Sequence, residues 1–239
     1  ALASAAECSR YGASQGACAL KCDAQAMSKH IIAIGASTGG PDAIKRLLSG
    51  LPRTCPPILI TQHMLPKQLA MFARILNRLP SVEVSIAESG ARPQPGRALI
   101  APGDAHLQLK RDAQGEYIIA LNHAPPVNRY LPSVDAMFAS VAASAGKHAI
   151  GVLLTGMGED GAAGLLAMRH SGALTLAQDA ASSVVFGMPG AAVRLGAATE
   201  IVPLARMAER ILRAVNAAAL VERSTVPDNK ARNMFLANS

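Results

Sequence analysis

The sequence predicts an α/β fold: a doubly wound, mostly parallel sheet flanked by helices, with an added antiparallel hairpin. Three observations predict it. Short apolar runs alternate with helical patterns from residue 30 to 218, the mark of βαβ units covered on both faces of a sheet. One stretch, 105–121, breaks the alternation, because H-L-Q-L-K and Y-I-I-A-L flank D-A-Q-G in the manner of a hairpin. At 239 residues, half of them hydrophobic, the chain is long enough for one α/β domain with a sizeable core.

In chain order, residues 1–28 are rich in Ala, Ser and Gly without a sustained period and read as a flexible segment or linker. A domain over 29–219 follows. Its first strand, 30–35, ends in G-A-S-T-G-G and opens a helix at 41–50. A strand at 57–62 ends in T-Q-H-M before a helix at 67–79. After a strand at 97–101 come the hairpin and a helix at 133–145. The strand at 149–155 runs into the turn T-G-M-G-E-D-G and a helix at 161–171. Strand 173–177, helix 188–195, strand 199–202 and helix 204–218 complete the alternation. Residues 220–239 are polar, carry Pro227, Asp228 and Asn229, and read as a flexible tail. No internal repeat is present.

Composition narrows the function. There is no Trp and aromatics make up 3% of the chain, thin for gripping single-stranded nucleic acid by stacking. The net charge of +7 suits acidic partners, but the basic residues are scattered and read as a solvated surface. Cys8, Cys18, Cys22 and Cys55 lack zinc-site spacing and read as free thiols in a reducing compartment, so neither metal nor cofactor is expected. No apolar run approaches the roughly 20 residues of a membrane helix. The start A-L-A-S-A-A has neither an initiator Met nor a basic signal region, which reads as a processed or excised piece of a cytoplasmic protein.

The glycine-rich turn at 35–40 suits either a phosphate cradle or a nucleophilic serine. A Walker A loop needs Lys where Pro41 stands, and a dinucleotide fingerprint needs Gly where Ser37 stands. Both nucleotide readings therefore fail at a residue that carries chemistry. G-A-S-T-G does match a nucleophile elbow, although a serine in such a turn is otherwise a plain helix cap. His63, ending the second strand, and Asp160, in the turn after the 149–155 strand, also have bland readings. Asp160 could complement the dipole of the next helix, and Glu159 would do so equally well. Together, Ser37, His63 and Asp160 each lie at the carboxyl end of a parallel strand, where a nucleophile, a base and an orienting carboxylate can meet. Their order, Ser–His–Asp, differs from that of α/β-hydrolases.

With these segments in hand, the sequence resembles the catalytic domain of the CheB-type chemotaxis protein-glutamate methylesterases. The matching stretches are G-A-S-T-G-G at 35–40, T-Q-H-M at 61–64, I-A-P-G-D-A-H-L at 100–107, P-P-V-N-R at 125–129 and P-S-V-D at 132–135. L-L-T-G-M-G-E-D-G-A-A-G at 153–164 and A-Q-D-A-A-S-S-V-V-F-G-M-P at 177–189 also match. The resemblance implies Ser37 as nucleophile, His63 as general base and Asp160 as its orienter. It also implies a backbone oxyanion hole at Thr38 and Met157, and substrate contacts at Gln62, Asn128 and Arg129. The implied reaction is hydrolysis of γ-glutamyl methyl esters on the cytoplasmic helices of chemoreceptors, releasing methanol. Some members also deamidate receptor glutamines. Members usually carry an upstream receiver domain, which residues 1–28 are too short to be. Two stretches depart from the family: H-M-L-P-K-Q at 63–68 replaces H-M-P-P-G-F, and N-R-Y-L-P at 128–132 replaces N-R-H-R-P or N-G-H-R-P, losing a His and an Arg. The alternative to an enzyme is a catalytically silent module docking on receptors or signalling proteins. Intact Ser37, His63 and Asp160 weigh against it.

Overall fold

The central strands of this chain are buried at every position, so the sheet they form needs a layer on each face. A computed structural model describes residues 29–225. In chain order its elements are β1 (Ile31–Ala36), α1 (Gly40–Ser49), β2 (Ile58–Gln62), α2 (Pro66–Leu76), β3 (Glu83–Ile86), β4 (Arg97–Ile100), β5 (His106–Arg111) and β6 (Tyr117–Asn122). There follow α3 (Val134–Ala145), a 3₁₀ turn (Gly146–His148), β7 (Ala149–Leu153), α4 (Ala162–His170), β8 (Leu174–Gln178), α5 (Met188–Arg194), β9 (Glu200–Val202) and α6 (Leu204–Thr225).

Seven strands form one sheet in the order β3-β4-β2-β1-β7-β8-β9, and every pairing is parallel. Because side chains alternate across a strand, Ile32 and Ile34 face one layer while Ile31 and Ala33 face the other. The first layer is α1, α2 and α6, packed on Ile58, Ile60 and Val152. The second is α3, α4, α5 and the antiparallel β5–β6 ribbon, packed on Ala33, Leu59 and Leu153. The doubly wound sheet and its hairpin are therefore as the sequence predicts.

From β1 the chain crosses toward β2, and from β7 it crosses the other way toward β8. This reversal opens a crevice at the carboxyl ends of β1 and β7. Ser37 follows β1, and the 155–161 turn follows β7, so both lie at that crevice.

Three details differ from the sequence expectation. β3 was not anticipated; it is a four-residue edge strand with only Val84 fully buried, too short and too polar to announce itself. α2 ends at Leu76 rather than 79, because the Asn77 side chain leaves the helix to accept from the Val84 N–H at 2.9 Å. α6 continues to Thr225, into the stretch read as a tail. Residues 1–28 and 226–239, with Cys8, Cys18 and Cys22, lie outside the described residues. Cys55 is buried and unpaired, and burial pushes its thiol up to about 11, as an inert core residue.

α3 and α4 approach closely because Gly164 has no side chain. A Cβ there would stand 2.7 Å from Phe138 Cβ and 2.9 Å from the Asp135 carbonyl oxygen. Gly164→Ala is expected to lower stability by about 1–3 kcal/mol through overpacking, despite alanine's better helix propensity. A lower urea midpoint at unchanged slope is the expected readout.

Candidate active site

Three turns at the carboxyl edge of the sheet build the site. Ala36 pairs with Gln62 in the parallel β1–β2 ladder, and the His63 N–H donates to the Ala36 carbonyl at 3.1 Å. Ser37 and His63 therefore leave adjacent strands side by side. The Ser37 N–H donates to the Thr155 carbonyl at 3.1 Å, which ties the first turn to the end of β7. Gly156 lets the turns close: a Cβ on it would lie 2.8 Å from Ser37 Cβ. Gly39, at φ +78°, makes the left-handed entry to α1 that glycine takes readily.

Gln62 is buried, and its Nε2 donates to the Ser37 carbonyl at 2.9 Å and the His63 carbonyl at 3.2 Å. It clamps the two backbones.

Asp160 is fully buried and its carboxylate accepts four hydrogen bonds. Oδ2 accepts from His63 Nε2 at 2.8 Å and the Val134 N–H at 2.7 Å. Oδ1 accepts from Ser133 Oγ at 2.8 Å and the Asp135 N–H at 3.1 Å. Val134 and Asp135 open α3, so the carboxylate sits at the positive end of that helix. Burial alone would push the Asp160 carboxyl up, but His63, Val134, Asp135 and Ser133 together hold it below its ordinary value. Ser133 is the N-cap of α3, and its Oγ also accepts from the Ala136 N–H at 3.3 Å. Behind it, the buried His106 Nδ1 accepts from the Ser133 N–H at 3.1 Å.

Asp135 returns the favour to α4. Its Oδ1 accepts from the Gly161 N–H at 2.9 Å and the Gly164 N–H at 2.7 Å, and Oδ2 accepts from Asn128 Nδ2 at 3.2 Å. Burial and then the nearby Asp160 charge push the Asp135 carboxyl up, and the N–H donors only partly offset them. Asp160 therefore serves a helix other than the one that follows it in sequence, and Asp135 serves that one. Glu159, the rival carboxylate, is exposed.

An ionised carboxylate only accepts, so His63 Nε2 carries a proton and the neutral ring's lone pair is at Nδ1. That nitrogen is buried and unpartnered among the described residues. Among those residues, neither the Thr38 nor the Met157 N–H makes a backbone hydrogen bond, and Met157 is 70% exposed beside the crevice. Asn128 and Arg129 form a tight turn next to the site. With Tyr130, Glu159 and Arg194, they line a cavity of about 610 Å³. Ser133, Asp135 and His106 were not among the expected site residues, although the run P-S-V-D carries a helix-start signature. Among the described residues no group of three or more His, Cys, Asp or Glu side chains could hold a metal ion, and no helix is long and apolar enough to cross a membrane.

The family model described as CheB methylesterase matches residues 32–211. The protein-glutamate methylesterase/protein-glutamine glutaminase of Photorhabdus laumondii is 54% identical over 194 residues, covering 81% of this chain and 55% of that protein. Its counterpart in Escherichia coli K12 is 52% identical over 190 residues, covering 80% of this chain and 54% of that protein. The chain thus spans about half the length of these curated relatives. The crystal structure of the Thermotoga maritima CheB methylesterase catalytic domain superposes with a TM-score of 0.75 at 34% identity, covering 77% of this chain and 97% of that one.

The carboxylate network predicts a pH signature. Because the folded-state pKa of Asp160 lies below its ordinary 3.8, its share of stability is present above that value and is lost as pH falls through the folded pKa. Asp160→Asn places an amide N–H₂ among donors and is expected to destabilise the protein by about 1–3 kcal/mol at neutral pH. In urea titrations the gap between parent and variant should shrink as pH falls below 3.8. A gap independent of pH would contradict the network.

Proposed function

The chain belongs to the CheB methylesterase family, and on that premise we propose that residues 29–219 form a catalytic domain that hydrolyses γ-glutamyl methyl esters of chemoreceptors. The observation that carries this reading is the 2.8 Å bond from His63 Nε2 to the buried Asp160 carboxylate, beside the turn that bears Ser37. In the proposed reaction, Ser37 Oγ attacks the ester carbonyl and His63 Nδ1 takes its proton. The tetrahedral oxyanion is met by the Thr38 and Met157 N–H groups, each worth about 3 kcal/mol by the usual cost of removing one donor. Methoxide leaves with the proton held by His63, as methanol, and Ser37 is left acylated. Water then attacks with His63 again as base, and a free glutamate and Ser37 are regenerated.

The same acyl-enzyme forms from a glutamine side chain, with ammonia as the leaving group, and the glutaminase half of the relatives' names supports that second activity. Asn128 and Arg129 are the proposed substrate contacts, supported by their place on the cavity that also touches Asp160. The proposed setting is the cytoplasm, with receptor helices as substrate and an upstream receiver domain as regulatory partner.

Ser37→Ala is expected to abolish methanol release from methylated receptor membranes. Asp160→Ala should lose about 10⁴-fold, less than Ser37→Ala, since an orienting group contributes less than a nucleophile. Glu159→Ala should stay within about twofold, as an exposed side chain outside the network. Unchanged release in Ser37→Ala, or a Glu159→Ala loss equal to that of Asp160→Ala, would overturn the assignment.

A further inference from the structure

Tyr130 stands where the family's motif carries His, and its ring lies flat on the imidazole of His63. The ring centroids are 4.1 Å apart and the planes 7° from parallel. Parallel stacking is a favoured contact between aromatic rings, and a tyrosine face also favours a cation, so the contact suits the ring of a general base in both of its states.

The backbone that presents Tyr130 is built for this placement. Val127 and Tyr130 exchange backbone hydrogen bonds at 3.1 and 2.9 Å across a two-residue turn. The turn's central residues are both left-handed, Asn128 at φ 51° and Arg129 at φ 73°. Asn tolerates that conformation, but for Arg129 it costs about 1–2 kcal/mol. Such strain persists where the surroundings over-determine it, typically at functional sites. Here Asn128 Nδ2 donates to the Asp135 carboxylate at 3.2 Å, which ties the turn to the residue whose backbone N–H donates to Asp160. On its far side Tyr130 Oη abuts Gly158, where a Cβ would lie only 2.8 Å away. The ring thus stacks on the imidazole by one face and meets the turn that carries Met157 at its hydroxyl end.

We propose that Tyr130 is a positioning residue for His63: its stacked ring fixes the imidazole plane, so that with Nε2 held by Asp160 the buried, unpartnered Nδ1 keeps one orientation in which to take a proton. This inference rests on His63 being the base. Asp160 constrains one atom of the ring and leaves rotation about that hydrogen bond open. A flat partner against the ring face removes it.

The test compares Tyr130→Phe and Tyr130→Leu with the parent and with Ser37→Ala, measuring kcat and KM for methanol release together with the thermal midpoint. Leu keeps the apolar bulk but not the flat ring; Phe keeps the ring but not the hydroxyl. Tyr130→Leu should lose about tenfold in kcat, the upper range for an aromatic pair, with KM and thermal midpoint little changed. Tyr130→Phe should recover the parental kcat to within about twofold, since the face is retained. Tyr130→Leu with parental kcat, or Tyr130→Phe as impaired as Leu, overturns the proposal. If Ser37→Ala itself retains activity, the underlying reading of the site has failed instead.

Discussion

A carboxylate buried without access to water must be compensated on every lone pair, and Asp160 is. Its four donors are the N–H groups that open α3, the hydroxyl that caps it, and the imidazole of His63. The first three cost the site nothing to maintain, because a helix N-terminus has unsatisfied donors in any case. With His63 they keep the carboxylate ionised, and an ionised carboxylate fixes which imidazole nitrogen bears the proton. Asp135 does the same for α4, so the two helices are cross-capped by acids drawn from each other's entrances. Gly164 permits the close approach that this exchange requires.

The fold supplies the rest by register. Parallel strands release their chains at the same edge, and one further step beyond the Ala36–Gln62 pair sets Ser37 beside His63. The reversal of winding between β1 and β7 leaves the crevice open where the 155–161 turn can bring in Asp160. Gln62 locks this arrangement from beneath by holding both backbones at once. Rigid strands and helix ends thus carry the constellation, and loops contribute only the short turns between them.

Most of this was legible in the sequence where it depended on local pattern. The apolar runs that became β1, β2 and β7 could be read directly, and Ser37 and His63 stood out because each ends such a run. What local pattern could not decide was the choice between adjacent acids in one turn. Asp160 and Glu159 differ only in which one the tertiary structure buries. The cross-capping was invisible for a related reason, since Asp160 bonds residues 25 to 27 positions earlier and no spacing rule reaches that far. The hold of Gln62 on two backbone carbonyls has no sequence signature; the resemblance implied only a substrate contact there. Tyr130 registered only as a departure from the family motif; its meaning lies in a face-to-face contact across 67 positions of chain. β3 was missed because an edge strand with one buried residue has no pattern to detect.

The account stands or falls on the state of one ring. In uniformly ¹⁵N-labelled protein, nitrogen–proton correlation spectra recorded across a pH series report which nitrogen of the neutral His63 imidazole carries hydrogen. The carboxylate network requires the proton on Nε2, as a far-downfield signal bonded to Asp160, with Nδ1 resonating as a bare pyridine-type nitrogen. A proton found on Nδ1 would contradict it, because the lone pair would then face the Asp160 carboxylate and the proposed base would be lost.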